Sequence, residues 1–139
     1  MAFGREWVAQ RGIRIGIHVR RTDQLTEAHG GSDPGVEYFE RALAMLPFPH
    51  QAVVCTDDVA WVRSHRVFDN MHLRDSSDPA HEDMAILAAC HHMIMSIGTF
   101  GWWAAYLRAT EGQTIYYATP FKRPMNYQDH FPAHWTPLS

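Results

Sequence analysis

The chain has 139 residues, of which 46% are hydrophobic, 12% aromatic and 19% charged, a composition typical of one globular domain with a sizeable core. Its formal net charge of −3 excludes a general basic field for nucleic acid or an anionic membrane, so any anion site must be local. Two cysteines are too few for a disulfide framework, and no stretch approaches the roughly 20 apolar residues that cross a bilayer.

The spacing of apolar residues predicts strands and helices that alternate along the chain. In chain order, the expected elements are a strand at 11–19, a helix from 34 to about 46, a strand at 51–55, a helix to about 65, a helix at 80–90, a strand at 92–97, a helix at 100–109 and a strand at 113–117. Two further short strands are predicted at 67–68 and 71–73.

Capping and turn residues set the limits of these elements. Asp33 is a good N-cap with Pro34 at the first helical position, and Thr56 or Asp57 is expected to cap the second helix. We expect residues 1–12 to be a lead-in segment, 13–121 to form the domain, and 122–139 to be an irregular tail. Phe131 and Trp135 could anchor that tail to the domain.

Alternating strands and helices indicate an α/β fold, with a Rossmann-like, mostly parallel sheet and helices on both faces. In such folds, ligands bind beyond the carboxyl ends of the strands. This rule places three segments on one rim: 18–23, 56–58 and 98–99.

Two adjacent arginines, Arg20 and Arg21, follow the first apolar strand. They could be solvated charges at a strand end, but a planar guanidinium also suits a phosphate held by two hydrogen bonds. Neighbours in an extended segment point to opposite sides. One arginine can therefore face a ligand while the other pairs with Asp23 or another carboxylate.

A second anion signal is the turn at Gly98 and Thr99, where a strand leads into a helix. Free backbone N–H groups, the helix dipole and a hydroxyl favour a phosphate there, and Gly98 allows close approach of the backbone. The alternative is a plain helix cap. In combination with Arg20 on the same rim, the phosphate interpretation is favoured.

The remaining polar residues allow simpler interpretations. Asp83 could be a solvated helix position, a partner of the helix dipole, or a carboxylate that accepts two N–H donors from a guanine edge. Asp57 and Asp58 are most simply an N-cap pair, and His91 and His92 are expected to cap a helix end. Metal-ligand spacing is lacking, so no metal site is predicted. Both cysteines are expected to be buried free thiols, with a disulfide between them as the alternative.

Two segments carry a resemblance to a known family. His18-Val-Arg-Arg-Thr-Asp23 resembles the His-x-Arg-Arg-x-Asp motif of the GDP-fucose-dependent fucosyltransferases. The longer stretch from Glu82 to Leu107 is very similar to the donor-site segment of the galactoside α-1,2-fucosyltransferases, and 53–62 is similar to the strand and helix between them. The likeness covers roughly residues 11–121.

The resemblance implies the nucleotide-sugar half of a GT-B glycosyltransferase. Such enzymes move L-fucose from GDP-fucose to a galactose hydroxyl of a glycan acceptor in α-1,2 linkage, with inversion and without a metal or other cofactor. Arg20 would be catalytic, contacting the β-phosphate and stabilising the leaving GDP. His18 and Asp83 would hold the guanine.

The resemblance also assigns phosphate hydrogen bonds to Gly98 and Thr99, and the organisation of the loop to Arg21 and Asp23. The acceptor domain and the membrane anchor of the family have no counterpart in these residues, so we expect a carboxyl-terminal fragment with no membrane span of its own. Golgi localisation follows from the family alone. The alternatives are a non-catalytic GDP or GDP-sugar binding module, an inactive truncated paralogue, or a structural partner without a ligand.

Overall fold

The computed structural model describes residues 12–21, 34–46, 51–74, 79–96, 99–108, 114–118 and 130–138. The strands in these ranges are β1 (Arg14–Val19), β2 (Gln51–Thr56), β3 (His72–Arg74), β4 (His92–Met95), β5 (Ile115–Ala118) and β6 (Thr136–Leu138). The helices are α1 (Gly35–Ala44), α2 (Val59–Arg63), α3 (Ala80–Ala89) and α4 (Thr99–Arg108), with a 3-10 turn at Arg66–Phe68.

The strands form one sheet in the order β3-β2-β1-β4-β5-β6, and every pairing is parallel. All six residues of β1 are buried, so both faces of this central strand are covered. The predicted α/β, Rossmann-like class is therefore confirmed.

The chain reverses its direction across the sheet beside β1. From β1 it moves through β2 to β3 at one edge, and it then returns to β4 on the other side of β1. Because parallel crossovers are right-handed, this reversal places α1 and α2 on one face and α3 and α4 on the other. The boundary between β1 and β4 is thus the topological switch point of the sheet.

Close packing of α3 on β1 depends on Gly16. A Cβ atom at this position would lie 3.0 Å from Leu87 Cδ2 and 3.2 Å from Cys90 Sγ. Val53, Ile86 and Cys90 form a small apolar cluster of their own. The glycine therefore lets the helix approach the strand, which fixes the position of the amino-terminal turn of α3 above the sheet.

The aromatic residues of α1 pack against α2 and the 3-10 turn. The Phe39 ring centroid lies 5.5 Å from that of Phe68 and 6.1 Å from that of Trp61, both in edge-on geometry. The Tyr38 hydroxyl donates a hydrogen bond to the carbonyl of Met95, the last residue of β4. This bond ties α1 to the carboxyl end of a neighbouring strand.

Some predicted boundaries were wrong. Asp58, not Thr56 or Asp57, is the N-cap of α2, and its Oδ1 accepts a hydrogen bond of 3.1 Å from the backbone N–H of Trp61. The strand predicted at 67–68 is a 3-10 turn. Pro34 has helical dihedral angles but stands one residue before α1, a difference within the usual scatter of helix ends.

The carboxyl-terminal tail is not wholly irregular, because β6 adds an edge strand to the sheet. Pro137 can lie in this strand because proline is tolerated at a sheet edge, where its missing N–H need not face the neighbouring strand. Phe131 and Trp135, the expected anchors, are buried in the main core. In the part of the chain that the structure describes, no helix has the length and apolar character needed to cross a membrane.

Several predictions concern residues outside the described ranges. These are the lead-in segment up to residue 11, the loop at 22–33 with Asp23 and the predicted cap Asp33, the turn residue Gly98, and the tail at 119–129. They stay predictions.

Replacement of Tyr38 with Phe should reduce the free energy of unfolding by about 1–2 kcal/mol, because a buried carbonyl oxygen loses a donor. Chemical denaturation of the variant measures this effect. Tyr106→Phe is the matched control, since Tyr106 is 48% exposed. Equal stability of the two variants would contradict a structural role for the Tyr38 hydroxyl.

Candidate functional site

A pocket of about 190 Å³ lies at the carboxyl edge of the sheet, beside the switch point. Its walls come from the ends of β1 and β2 and from the first turns of α3 and α4. The lining residues are His18, Arg20, Cys55, Thr56, Asp57, Ala80, Asp83 and Phe100. Three of the residues predicted for one site, His18, Arg20 and Asp83, therefore meet in one cavity.

The backbone at Arg20 is fixed by Ser96, which lies 76 positions later in the sequence. The N–H of Arg20 donates a hydrogen bond of 2.9 Å to the Ser96 hydroxyl, and the N–H of Ser96 donates one of 3.0 Å to the carbonyl of His18. Ser96 is only 1% exposed. These two hydrogen bonds join the ends of β1 and β4. A hydroxyl residue at the end of a buried strand was the feature of the sequence that could have indicated them.

The guanidinium of Arg20 is partly exposed and lies near a carboxylate. Its Nε atom is 3.4 Å from Asp57 Oδ2, and the two side chains are 38% and 22% exposed. Ion pairs with this exposure typically contribute only about 0–1 kcal/mol. The contact between Arg20 and Asp57 therefore contributes little to the stability of the fold.

Arg21 has other side-chain partners than Arg20 and does not line the pocket, which agrees with the alternation expected in an extended segment. Its Nε atom lies 3.3 Å from Asp58 Oδ2, and its guanidinium carbon lies 4.3 Å from the centroid of the Trp61 ring. Its backbone N–H donates to Asp57 Oδ1 at 2.9 Å. The predicted inward partner is thus Asp58, and Asp57 binds this segment instead of capping a helix.

His18 is buried at the back of the pocket. Its ring centroid lies 5.2 Å from that of Phe100, and its Nδ1 atom has no hydrogen-bond partner among the described residues. A Cβ atom on Gly101 would approach Nδ1 to 2.8 Å, so only glycine leaves room for the ring. Burial, assisted by the charge of Arg20, lowers the pKa of His18 to about 4, so the ring is neutral at pH 7.

Asp83 is not a solvated helix position, because it is buried on the first turn of α3. Its Oδ1 atom accepts a hydrogen bond of 2.7 Å from Arg74 Nε. Arg74 Nη2 also donates to Glu82 at 3.3 Å. Sequence reasoning missed Arg74, although a charged residue that ends a strand at the same edge was the available signal.

The predicted phosphate turn is described in part. Thr99 begins α4, but its side chain, like Gly98, lies outside the described residues. Phe100 places the first turn of α4 at the pocket. The roles of Gly98 and Thr99 stay predictions.

In the described contacts, His91 and His92 bind strand backbone and not the helix end predicted for them. His91 Nδ1 accepts from the N–H of Arg14 at 3.1 Å, and His92 Nδ1 accepts from the N–H of Thr114 at 2.8 Å. Both rings bind backbone at the amino edge of the sheet, away from the pocket. Cys55 and Cys90 are buried free thiols, as predicted.

A parallel sheet with a cavity and an exposed guanidinium at its switch point is typical of Rossmann-like domains that bind nucleotides. The sequence model of the protein family described as glycosyl transferase family 11 matches residues 5–139 of this chain. The chain therefore belongs to glycosyl transferase family 11, as the resemblance indicated.

Named relatives agree with this assignment. The chain is 35% identical to galactoside alpha-(1,2)-fucosyltransferase 2 of Gorilla gorilla gorilla, over 94% of this chain and 42% of the relative. It is 34% identical to galactoside alpha-(1,2)-fucosyltransferase 1 of Alouatta belzebul, over 85% of this chain and 34% of the relative. The chain thus spans well under half of the length of these curated relatives.

Stability should fall on acidification because His18 resists protonation in the fold. Its pKa is lowered from 6.5 to about 4, so between these pH values the unfolded chain binds a proton that the native chain does not. The contribution of His18 to the free energy of unfolding should therefore be fully present well above pH 6.5. It should decrease by about 2–3 kcal/mol towards pH 4.5.

Denaturant titrations of the native chain and of His18→Asn between pH 7.5 and 4.5 test this prediction. The variant should lack that part of the pH dependence, and His134→Asn, which changes an exposed histidine, should retain it. Parallel curves for the native chain and His18→Asn would contradict the buried, neutral state of the ring.

Proposed function

We propose that this chain binds GDP-fucose in the pocket and transfers L-fucose to a galactose hydroxyl of a glycan, in α-1,2 linkage, with inversion and without a metal. The observation that carries the proposal is the convergence of Arg20 and Asp83 on one cavity. Membership of glycosyl transferase family 11 and the printed names of the relatives support the choice of donor and acceptor.

The donor would lie across the switch point. Arg20 would bind the β-phosphate with its planar fork, taking the place that a metal ion has in other transferases. Asp83 would accept hydrogen bonds from two N–H groups of guanine, and the neutral His18 ring would border the base. Backbone N–H groups at the first turn of α4 would support the diphosphate.

Transfer would be a direct displacement at the anomeric carbon of fucose. A galactose hydroxyl oxygen attacks C1 from the side opposite the diphosphate, the bond from C1 to the phosphate oxygen breaks, and its electron pair leaves with GDP. The hydroxyl proton passes to a general base. Arg20 would stabilise the negative charge that develops on the leaving diphosphate.

Asp57 would act as the resting partner of Arg20. Its Oδ2 atom lies 3.4 Å from Arg20 Nε, and a phosphate with greater charge would replace it. Asp57 also binds the backbone of Arg21, so the carboxylate stays in place after the exchange. The guanidinium is thus already directed into the pocket, which lowers the entropic cost of binding.

Replacement of Arg20 with Ala should weaken GDP binding by about 1.5–3 kcal/mol, roughly 10- to 150-fold, because a charged hydrogen-bond donor to phosphate is lost. Isothermal titration calorimetry measures this change. Arg20→Lys should restore only part of the affinity, since the bidentate fork is lost.

Arg63→Ala, which removes an exposed arginine from α2, is the control and should bind GDP as the native chain does. No heat from the native chain at millimolar GDP would contradict the donor site. Transfer of labelled fucose to lactose then tests the reaction itself. GDP binding without transfer would favour a non-catalytic GDP-binding module.

A further inference from the structure

Arg74 is a buried cation that the proposed transfer reaction does not contact. It ends the edge strand β3 and is 6% exposed. Its Nε atom donates to Asp83 at 2.7 Å and its Nη2 atom donates to Glu82 at 3.3 Å. One guanidinium therefore binds two successive carboxylates on the first turn of α3.

We infer that Arg74 is a positioning residue that sets the preference of the pocket for guanine through Asp83. This inference rests on the proposed nucleotide site and adds a determinant of its specificity. Asp83 lines the pocket, whereas Arg74 contacts Asp83 without being one of the lining residues. The arginine would thus act on the base only through the carboxylate.

The first step of the argument is electrostatic. Asp83 is 9% exposed, and a buried carboxylate retains its charge only with a close positive partner and good hydrogen bonds. Arg74 supplies both. A guanine edge presents two N–H donors, which an ionised carboxylate accepts, whereas adenine presents a ring nitrogen that repels it.

The second step is geometric. A carboxylate has about four lone-pair positions, and the hydrogen bond from Arg74 uses one of them on Oδ1. Held in this way, Asp83 cannot rotate freely about its side-chain bonds, and its remaining acceptor positions keep a constant direction. The hydrogen bond from Arg74 Nη2 to Glu82 holds the guanidinium itself in place, so Arg74 and Asp83 do not move together.

The test measures nucleotide preference as well as affinity, because a purely structural ion pair would not change the ratio of GDP to ADP binding. Calorimetry with GDP and with ADP is carried out on the native chain and on Arg74→Gln, Arg74→Lys, Asp83→Asn and the double variant Arg74→Gln/Asp83→Asn. Arg66→Gln is the matched control, since the same substitution there changes an exposed arginine.

Arg74→Gln should weaken GDP binding about tenfold, the equivalent of one charged hydrogen bond that is no longer aligned, and should leave ADP binding unchanged. The ratio of GDP to ADP affinity should therefore fall. Arg74→Lys should retain an intermediate ratio because it keeps the charge but not the fork. The double variant should match Asp83→Asn, since the effect of Arg74 passes through Asp83.

An unchanged ratio in a folded Arg74→Gln or Arg74→Lys variant would overturn the inference, as would additive effects in the double variant. If Arg74→Gln does not fold, Arg74→Lys and the double variant, which removes the uncompensated charge, decide the question. Failure of the native chain to bind GDP would instead reject the nucleotide site itself.

Discussion

Parallel pairing of β1 with both β2 and β4 is the constraint on which the candidate site depends. It brings the carboxyl ends of three strands to one edge, so residues from distant parts of the sequence meet there. Ser96 stabilises this arrangement, because its hydroxyl accepts from the N–H of Arg20 and its N–H donates to the carbonyl of His18. The direction of the Arg20 side chain follows from these backbone bonds.

Two ion pairs at the pocket have opposite physical characters. Arg20 and Asp57 are partly exposed and 3.4 Å apart, so solvent screens them and a ligand can separate them. Arg74 and Asp83 are only 7% and 12% exposed in their side chains and 2.7 Å apart. Removal of one partner from such a pair typically costs about 3–5 kcal/mol. The first pair can separate at small energetic cost, whereas the second holds Arg74 and Asp83 together.

His18 links the site to the packing of the domain. The ring is accommodated by the absence of a side chain at Gly101 and lies against Phe100 at the first turn of α4. Its position thus depends on α4 and on β1 together. A neutral ring adds no positive charge to the cavity, so among the described lining residues the positive charge comes from Arg20.

Much of the fold follows from sequence because buried parallel strands are continuous apolar runs and the helices between them carry clear stop signals. The position of His18 and Arg20 at the carboxyl edge could be predicted because both follow or end the first strand, whereas Asp83 was assigned to the same site only by the family resemblance.

Side-chain partners could not be predicted, since they depend on the exact register of neighbouring strands. Arg74 lay just beyond the strand predicted at 71–73 and was given no role, and Asp57 had the sequence context of a cap. The strand β6 was missed because the prolines of the tail oppose a strand unless that strand lies at an edge. The role of Gly98 has no structural description, and its phosphate contact remains a sequence prediction.

A crystal structure of the chain with GDP tests the central claim most directly. We predict that the nucleotide spans the β1–β4 boundary, with its diphosphate bound by Arg20 in place of Asp57 and its base bound by Asp83. A GDP molecule that occupies another surface, or one that binds in this pocket with its base directed away from Asp83, would contradict the account.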